Sequence, residues 1–137
     1  MDAAAAIAEL RELSTQIETV VVSSRDGSVI SASVGDDIAG RVSAAARDLA
    51  DGADQVRRDL GREALSQLQA STPTGSVFVV VDGDRMAVAT TGADPTVGLV
   101  FYDLKTLLRQ VVRGDGPAAA DEAAPVAGEE SPEAGDA

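Results

Sequence analysis

The chain has 137 residues, one domain's worth, and 45% of them are hydrophobic; only Phe78, Phe101 and Tyr102 are aromatic, so the core must be built from Val, Leu, Ile and Ala. It contains no His and no Cys, which removes the common transition-metal ligands, the thiol nucleophile, disulfides and every His-dependent triad. The net charge is −12: the 16 acids and 11 bases of residues 1–113 leave −5, and seven acids with no base follow Arg113, a field that repels phosphate backbones and anionic lipid, so neither nucleic acid nor membrane is an expected partner.

The chain opens on Met1-Asp2-Ala3, with an early acid and none of the basic residues that begin a secretory signal. No stretch approaches the roughly 18 consecutive apolar residues of a membrane span. The expected location is therefore the cytoplasm. Ala3, Ile7 and Leu10, with Leu13 beside them, step by four and three and predict a helix ending near Ser14. Val20-Val21-Val22 is β-branched throughout, and Asp26-Gly27 separates it from residues 28–32 (SVISA), which predicts a hairpin whose glycine supplies the positive φ of the turn.

From Ile38 the apolar positions Val42, Ala45, Leu49, Ala53, Val56 and Leu60 step by three or four and predict a long second helix. Asp36 or Asp37 is the expected cap at its start and Gly61 the left-handed residue at its end. Its opposite, charged face carries Arg41, Arg47, Asp48, Asp51, Asp54, Arg57 and Arg58, a pattern that solvent alone explains equally well. Residues 64–71 (ALSQLQAS) fit helix or strand, and an edge strand is the choice made here.

After a turn at Thr72-Pro73-Thr74-Gly75, residues 76–81 (SVFVVV) read as a strand buried on both faces, and Asp82-Gly83-Asp84 turns the chain back into residues 85–91. Asp94 and Pro95 are the expected cap and first residue of a last helix, with Val97, Val100, Phe101, Leu104, Leu107, Leu108 and Val111 on its wide apolar face. Residues 1–113 thus form one domain, and residues 114–137, rich in Ala, Pro, Gly, Glu and Asp, form an expected disordered acidic tail. That tail is either a solubilising segment or a docking element for a basic partner.

No constellation carries specific catalytic chemistry. There is no GxxxxGK[ST] phosphate loop, and Lys105 has no glycine-rich stretch before it. Asp82 and Asp84 flank a glycine like half a cation site, but with no third ligand nearby they read as a turn, and Asp36-Asp37 reads as cap chemistry. No cofactor and no metal is expected, and the chain is not expected to be an enzyme.

The hairpin VVVSSRDGSVISAS, the charged second helix, the strand pair SVFVVVDGDRMAVATT and the run from Pro95 to Leu104 (PTVGLVFYDL) together resemble the roadblock/dynein light chain family, in its bacterial MglB-like branch, across residues 3–113. The resemblance implies a profilin-like α+β roadblock fold of order α-β-β-α-β-β-β-α, with a five-stranded antiparallel sheet of order 2-1-5-4-3. It implies a homodimer that matches the third strand and second helix of one copy to those of the other, through Leu49, Ala53, Val56, Leu65, Leu68 and Ala70.

It also implies a small Ras-like GTPase as partner, seated on the paired second helices, with Arg41, Arg47, Asp48, Asp51, Arg57 and Arg58 as the residues that meet it. Activation of such a partner runs through an arginine finger or through its switch loops, and the resemblance favours the second route. The reading is thus a non-catalytic adaptor or regulator, GTPase-activating in one version. The alternatives are a profilin-like small-molecule sensor, which would require an apolar cavity between the sheet and the last helix, a general scaffold, and an enzyme using carboxylates and arginine.

Overall fold

A computed structural model describes residues 2–115, and the side chains of residues 2–111. The elements, in chain order, are α1 (Ala3–Leu13), β1 (Ile17–Ser24), β2 (Val29–Ala32), α2 (Asp36–Asp59), β3 (Gln67–Thr72), β4 (Gly75–Asp82), β5 (Arg85–Gly92) and α3 (Val97–Asp115). The expected helix and strand order is therefore the one observed, and residues 116–137 of the expected tail lie outside the described residues. The five strands form one antiparallel sheet of order β2-β1-β5-β4-β3, which leaves β2 and β3 at its edges.

Successive side chains of a strand point to opposite faces, and the central strands use both. Val20, Val22, Phe78, Val80, Ala87 and Ala89 face one layer, where they pack against Ile7 and Leu10 of α1 and Val100, Leu104, Leu107 and Leu108 of α3. Phe78 meets Phe101 edge-on, with ring centroids 5.1 Å apart. Val21, Val79, Met86 and Val88 face the other layer, where Ala39, Ala46 and Ala50 of α2 cover them. The sheet is sandwiched, with α1 and α3 on one side and α2 alone on the other.

Local chemistry fixes the ends of these elements. The Asp2 carboxylate accepts the Ala5 N–H at 2.8 Å and caps α1. In the loop of residues 25–28, Gly27 holds φ at +96° while its N–H donates to the Ser24 carbonyl, as the Asp-Gly signal predicts. Gly61, at φ +67°, ends α2 in a Schellman motif: its N–H donates to the Arg58 carbonyl at 3.0 Å and that of Arg62 to the Arg57 carbonyl at 2.8 Å. Gly75 belongs to β4 and not to the turn, which comprises Pro73 and Thr74 alone; a Cβ there would lie 2.5 Å from the Thr91 carbonyl oxygen across the ladder.

Both expected acidic caps are displaced. Gly35 is the N-cap of α2 and no side chain bonds there; Asp36 and Asp37 sit inside the first turn, where a carboxylate complements the helix dipole instead. Asp94 lies in the left-handed region at φ +56°, a conformation Asp tolerates in turns. The chain consequently needs two more residues before α3 begins at Val97, and the Thr96 carbonyl accepts the first N–H groups, from Leu99 and Val100, at 3.1 Å each.

Candidate functional site

The long helix α2 meets the sheet with a stripe of small residues and not with most of its large ones. Its periodic large apolar residues point outward: Ile38 is 50% exposed, Leu49 43%, Val56 59% and Leu60 68%. The side against the sheet is a second stripe, Ala39, Ser43, Ala46 and Ala50, spaced by four, three and four. Small side chains let the helix approach the strands closely, and the Ser43 hydroxyl is satisfied by donating to the Gly27 carbonyl of the β1–β2 loop. Of the periodic larger residues, Val42 is half-buried against this layer, while Ile38, Leu49, Val56 and Leu60 stay outside it.

The charged residues expected to meet a partner do not form one cluster. Arg47, Asp51 and Arg58, spaced by four and seven, share one flank of α2, and Arg47 and Asp51 line an open depression of about 680 Å³ with Arg25, Asp26 and Asp84. Arg41 and Asp48 lie about a quarter turn away, on the side opposite the sheet, where Arg41 pairs with Asp37 at 2.9 Å one turn earlier. Arg47 and Asp48 nevertheless reach each other at 3.3 Å. Arg57 turns to the helix end, its Nε donating to the Glu63 carbonyl at 3.3 Å, while Arg58 donates to Gln55 at 3.3 Å.

Two residues that the sequence reading gave no role hold this surface together. Arg25, in the β1–β2 loop, reaches Asp51 at 2.8 Å and Asp54 at 3.1 Å. Asp54 in turn accepts the Leu65 N–H at 2.6 Å, so one carboxylate ties the loop, the last turns of α2 and the segment entering β3. The Leu65 N–H first, and then Arg25, hold the Asp54 carboxyl below the usual carboxylate range, against the opposing effect of burial. The usable signal was a lone arginine at a tight hairpin tip.

The residues expected at a dimer contact lie around that tie. Leu49 and Val56 are exposed on α2 and Ala53 is half-buried; Leu65 and Leu68 are half-buried against the α2-side core, and Ala70 is exposed on β3. As an edge strand, β3 pairs with β4 alone among the described residues, leaving its outer backbone groups open to a further strand. Among the described residues no group of three or more acidic side chains is placed to hold a metal ion, and no helix is long and apolar enough to cross a membrane.

No protein-family model and no curated protein matches the sequence. Solved structures do match. The Roadblock/LC7 domain from Streptomyces avermitilis superposes with a TM-score of 0.75 at 18% identity, over 81% of this chain and 95% of that one. The gliding protein MglB from Thermus thermophilus gives 0.69 at 13% identity, over 81% and 86% of the two chains. Profilin II from Acanthamoeba castellanii gives 0.53 at 14% identity, over 72% and 88%.

Proposed function

Starting from the premise that this chain has the roadblock fold, in its profilin-like α+β form, we propose that it is a non-catalytic homodimeric adaptor that regulates a small Ras-like GTPase in the cytoplasm. The observation that carries the reading is the outward stripe of α2. A helix that has satisfied its sheet-facing side with Ala39, Ser43, Ala46 and Ala50, yet presents Ile38, Leu49, Val56 and Leu60 to solvent, has the apolar surface of a protein contact.

In the proposed dimer, Leu49, Ala53 and Val56 of α2 and Leu65, Leu68 and Ala70 around the β3 edge meet their two-fold mates, extending the sheet and pairing the helices. The GTPase sits on the paired helices and meets their charged side, through Arg47, Asp51 and Arg58 on the flank and Arg41 and Asp48 on the outermost side, with Arg57 at the helix end. Every one of these arginines already has a partner within the chain. That suits a surface that positions the switch loops of a GTPase better than an arginine extended into its nucleotide site. Against a ligand sensor stands the filling of the layer between sheet and α3, where Phe78, Leu104 and Leu108 are wholly buried.

Affinity capture from native lysate with the intact chain, run with GDP and with a non-hydrolysable GTP analogue, tests this. A small GTPase retained with the analogue is expected, and Arg47→Glu with Arg58→Glu is expected to weaken its binding at least tenfold while leaving the melting temperature unchanged. Capture of no GTPase in either nucleotide state, by a protein shown to be folded and dimeric, would overturn the reading.

A further inference from the structure

On the sheet face opposite α2, a groove of about 250 Å³ runs between α1 and α3. Ala6, Leu10 and Leu107 are buried beneath it, and Leu13 and Tyr102 stand along it 76% and 62% exposed. Two carboxylates, Glu9 and Asp103, also line it. Neither has a hydrogen bond or ion pair among the described residues. Burial pushes the Asp103 carboxyl above its ordinary range, and no group among the described residues offsets that desolvation.

Among the described residues, no base lines the groove. Arg11 follows Glu9 by two residues and so lies on another side of α1. Lys105 and Arg109 line a separate depression on the other flank of α3, together with Asp82 and Val81 at the end of β4, and Arg109 donates back to the hydroxyl of the groove residue Thr106 at 3.2 Å. The groove therefore combines an apolar floor, two large exposed side chains and two carboxylates that have no partner among the described residues.

We infer that the α1–α3 groove docks a basic amphipathic helix or short peptide segment of a partner protein, whose apolar side chains cover Leu13, Tyr102 and the groove floor while a lysine or arginine reaches Glu9 and Asp103. Charge excludes two other occupants. The chain's own C-terminal segment brings seven acids and no base after Arg113, and a second copy placed two-fold on the groove would set the same pair of acids against itself. An α1 of 11 residues spans roughly 16 Å at 1.5 Å per residue, room for two or three turns of a docked helix. The site is independent of the α2 surface and does not rest on the GTPase reading.

Fluorescence anisotropy with the intact chain tests it, using two labelled probes: an amphipathic peptide of leucine and lysine at helical spacing, and its counterpart with glutamate for lysine. The lysine peptide is expected to bind and the glutamate peptide not. Leu13→Ser with Tyr102→Ser, which changes no charge, should weaken the lysine peptide at least tenfold with the melting temperature unchanged. Glu9→Lys with Asp103→Lys should transfer the preference to the glutamate peptide. Absence of binding would overturn the inference, as would binding of the lysine peptide that neither pair of substitutions alters, since that would be attraction to the net charge alone.

Discussion

The two faces of the sheet are covered in opposite ways. Against α1 and α3 the strands meet large side chains, Leu104, Leu107, Leu108 and Val111, which are 0–1% exposed, while Leu13, Leu99 and Tyr102 of these helices stay at the surface. Against α2 the strands meet alanines, one serine and the half-buried Val42, and that helix turns Ile38, Leu49, Val56 and Leu60 outward. One side is a finished core and the other a core closed by small residues beneath an unfinished surface. A helix can thus be amphipathic in the ordinary sense and yet place its strongest stripe away from its own domain.

Identical chemistry should have unequal effects on the two sides. Leu104→Ala opens a cavity in the finished layer and is expected to cost about 2–5 kcal/mol in denaturant unfolding. Leu60→Ala, at a residue 68% exposed on α2, should change stability by less than about 0.5 kcal/mol. Equal losses would erase the distinction between the layers. Ala50→Leu inverts the test: with no room between α2 and the strands, the larger side chain should cost about 1–3 kcal/mol, and a neutral effect would mean that the helix does not approach the sheet as closely as described.

The tie between α2 and its surroundings is electrostatic as well as steric. Asp54→Ala removes a charged hydrogen bond to the Leu65 N–H and the Arg25 contact, an expected loss of about 1.5–3 kcal/mol at neutral pH. Because the folded-state pKa of Asp54 is depressed, its contribution is complete above the unfolded value of about 3.9 and declines as pH falls below it toward the folded value. The stability gap between wild type and Asp54→Ala should therefore narrow below about pH 4; a gap constant down to the acid limit would assign the loss to packing. A comparably small effect is expected of Arg41→Ala, whose exposed pair with Asp37 is worth at most about 0.5 kcal/mol.

The architecture was legible because period and punctuation agree: β-branched runs bounded by Asp-Gly and Pro-Thr, and two helices with unbroken steps of three and four. Even the weakly patterned 64–71 segment yields its strand at Gln67–Thr72, where Gln67 and Gln69 suit an edge. Which side of α2 meets the sheet was not legible from periodicity. Periodicity reports that a stripe exists and not which side the sheet takes, and Ala39, Ser43, Ala46 and Ala50 form an equally regular stripe that hydrophobicity scores weakly. The Arg25–Asp54 pair escaped for a different reason, since its members are 29 residues apart and meet only once the hairpin folds over the helix. The two misplaced caps show the limit of acid-before-helix signals when a glycine or a left-handed turn takes the boundary.

The most direct measurement of what covers the outward stripe of α2 is the molar mass of the intact chain by sedimentation equilibrium, for wild type, Ala53→Glu and the groove variant Tyr102→Ser. One chain weighs 13.9 kDa. Wild type and Tyr102→Ser should show the mass of two chains across the concentration range, and Ala53→Glu the mass of one with its helical circular dichroism intact. A single-chain mass for wild type at every concentration, or a dimer that survives Ala53→Glu unchanged, would contradict the dimer surface built on α2.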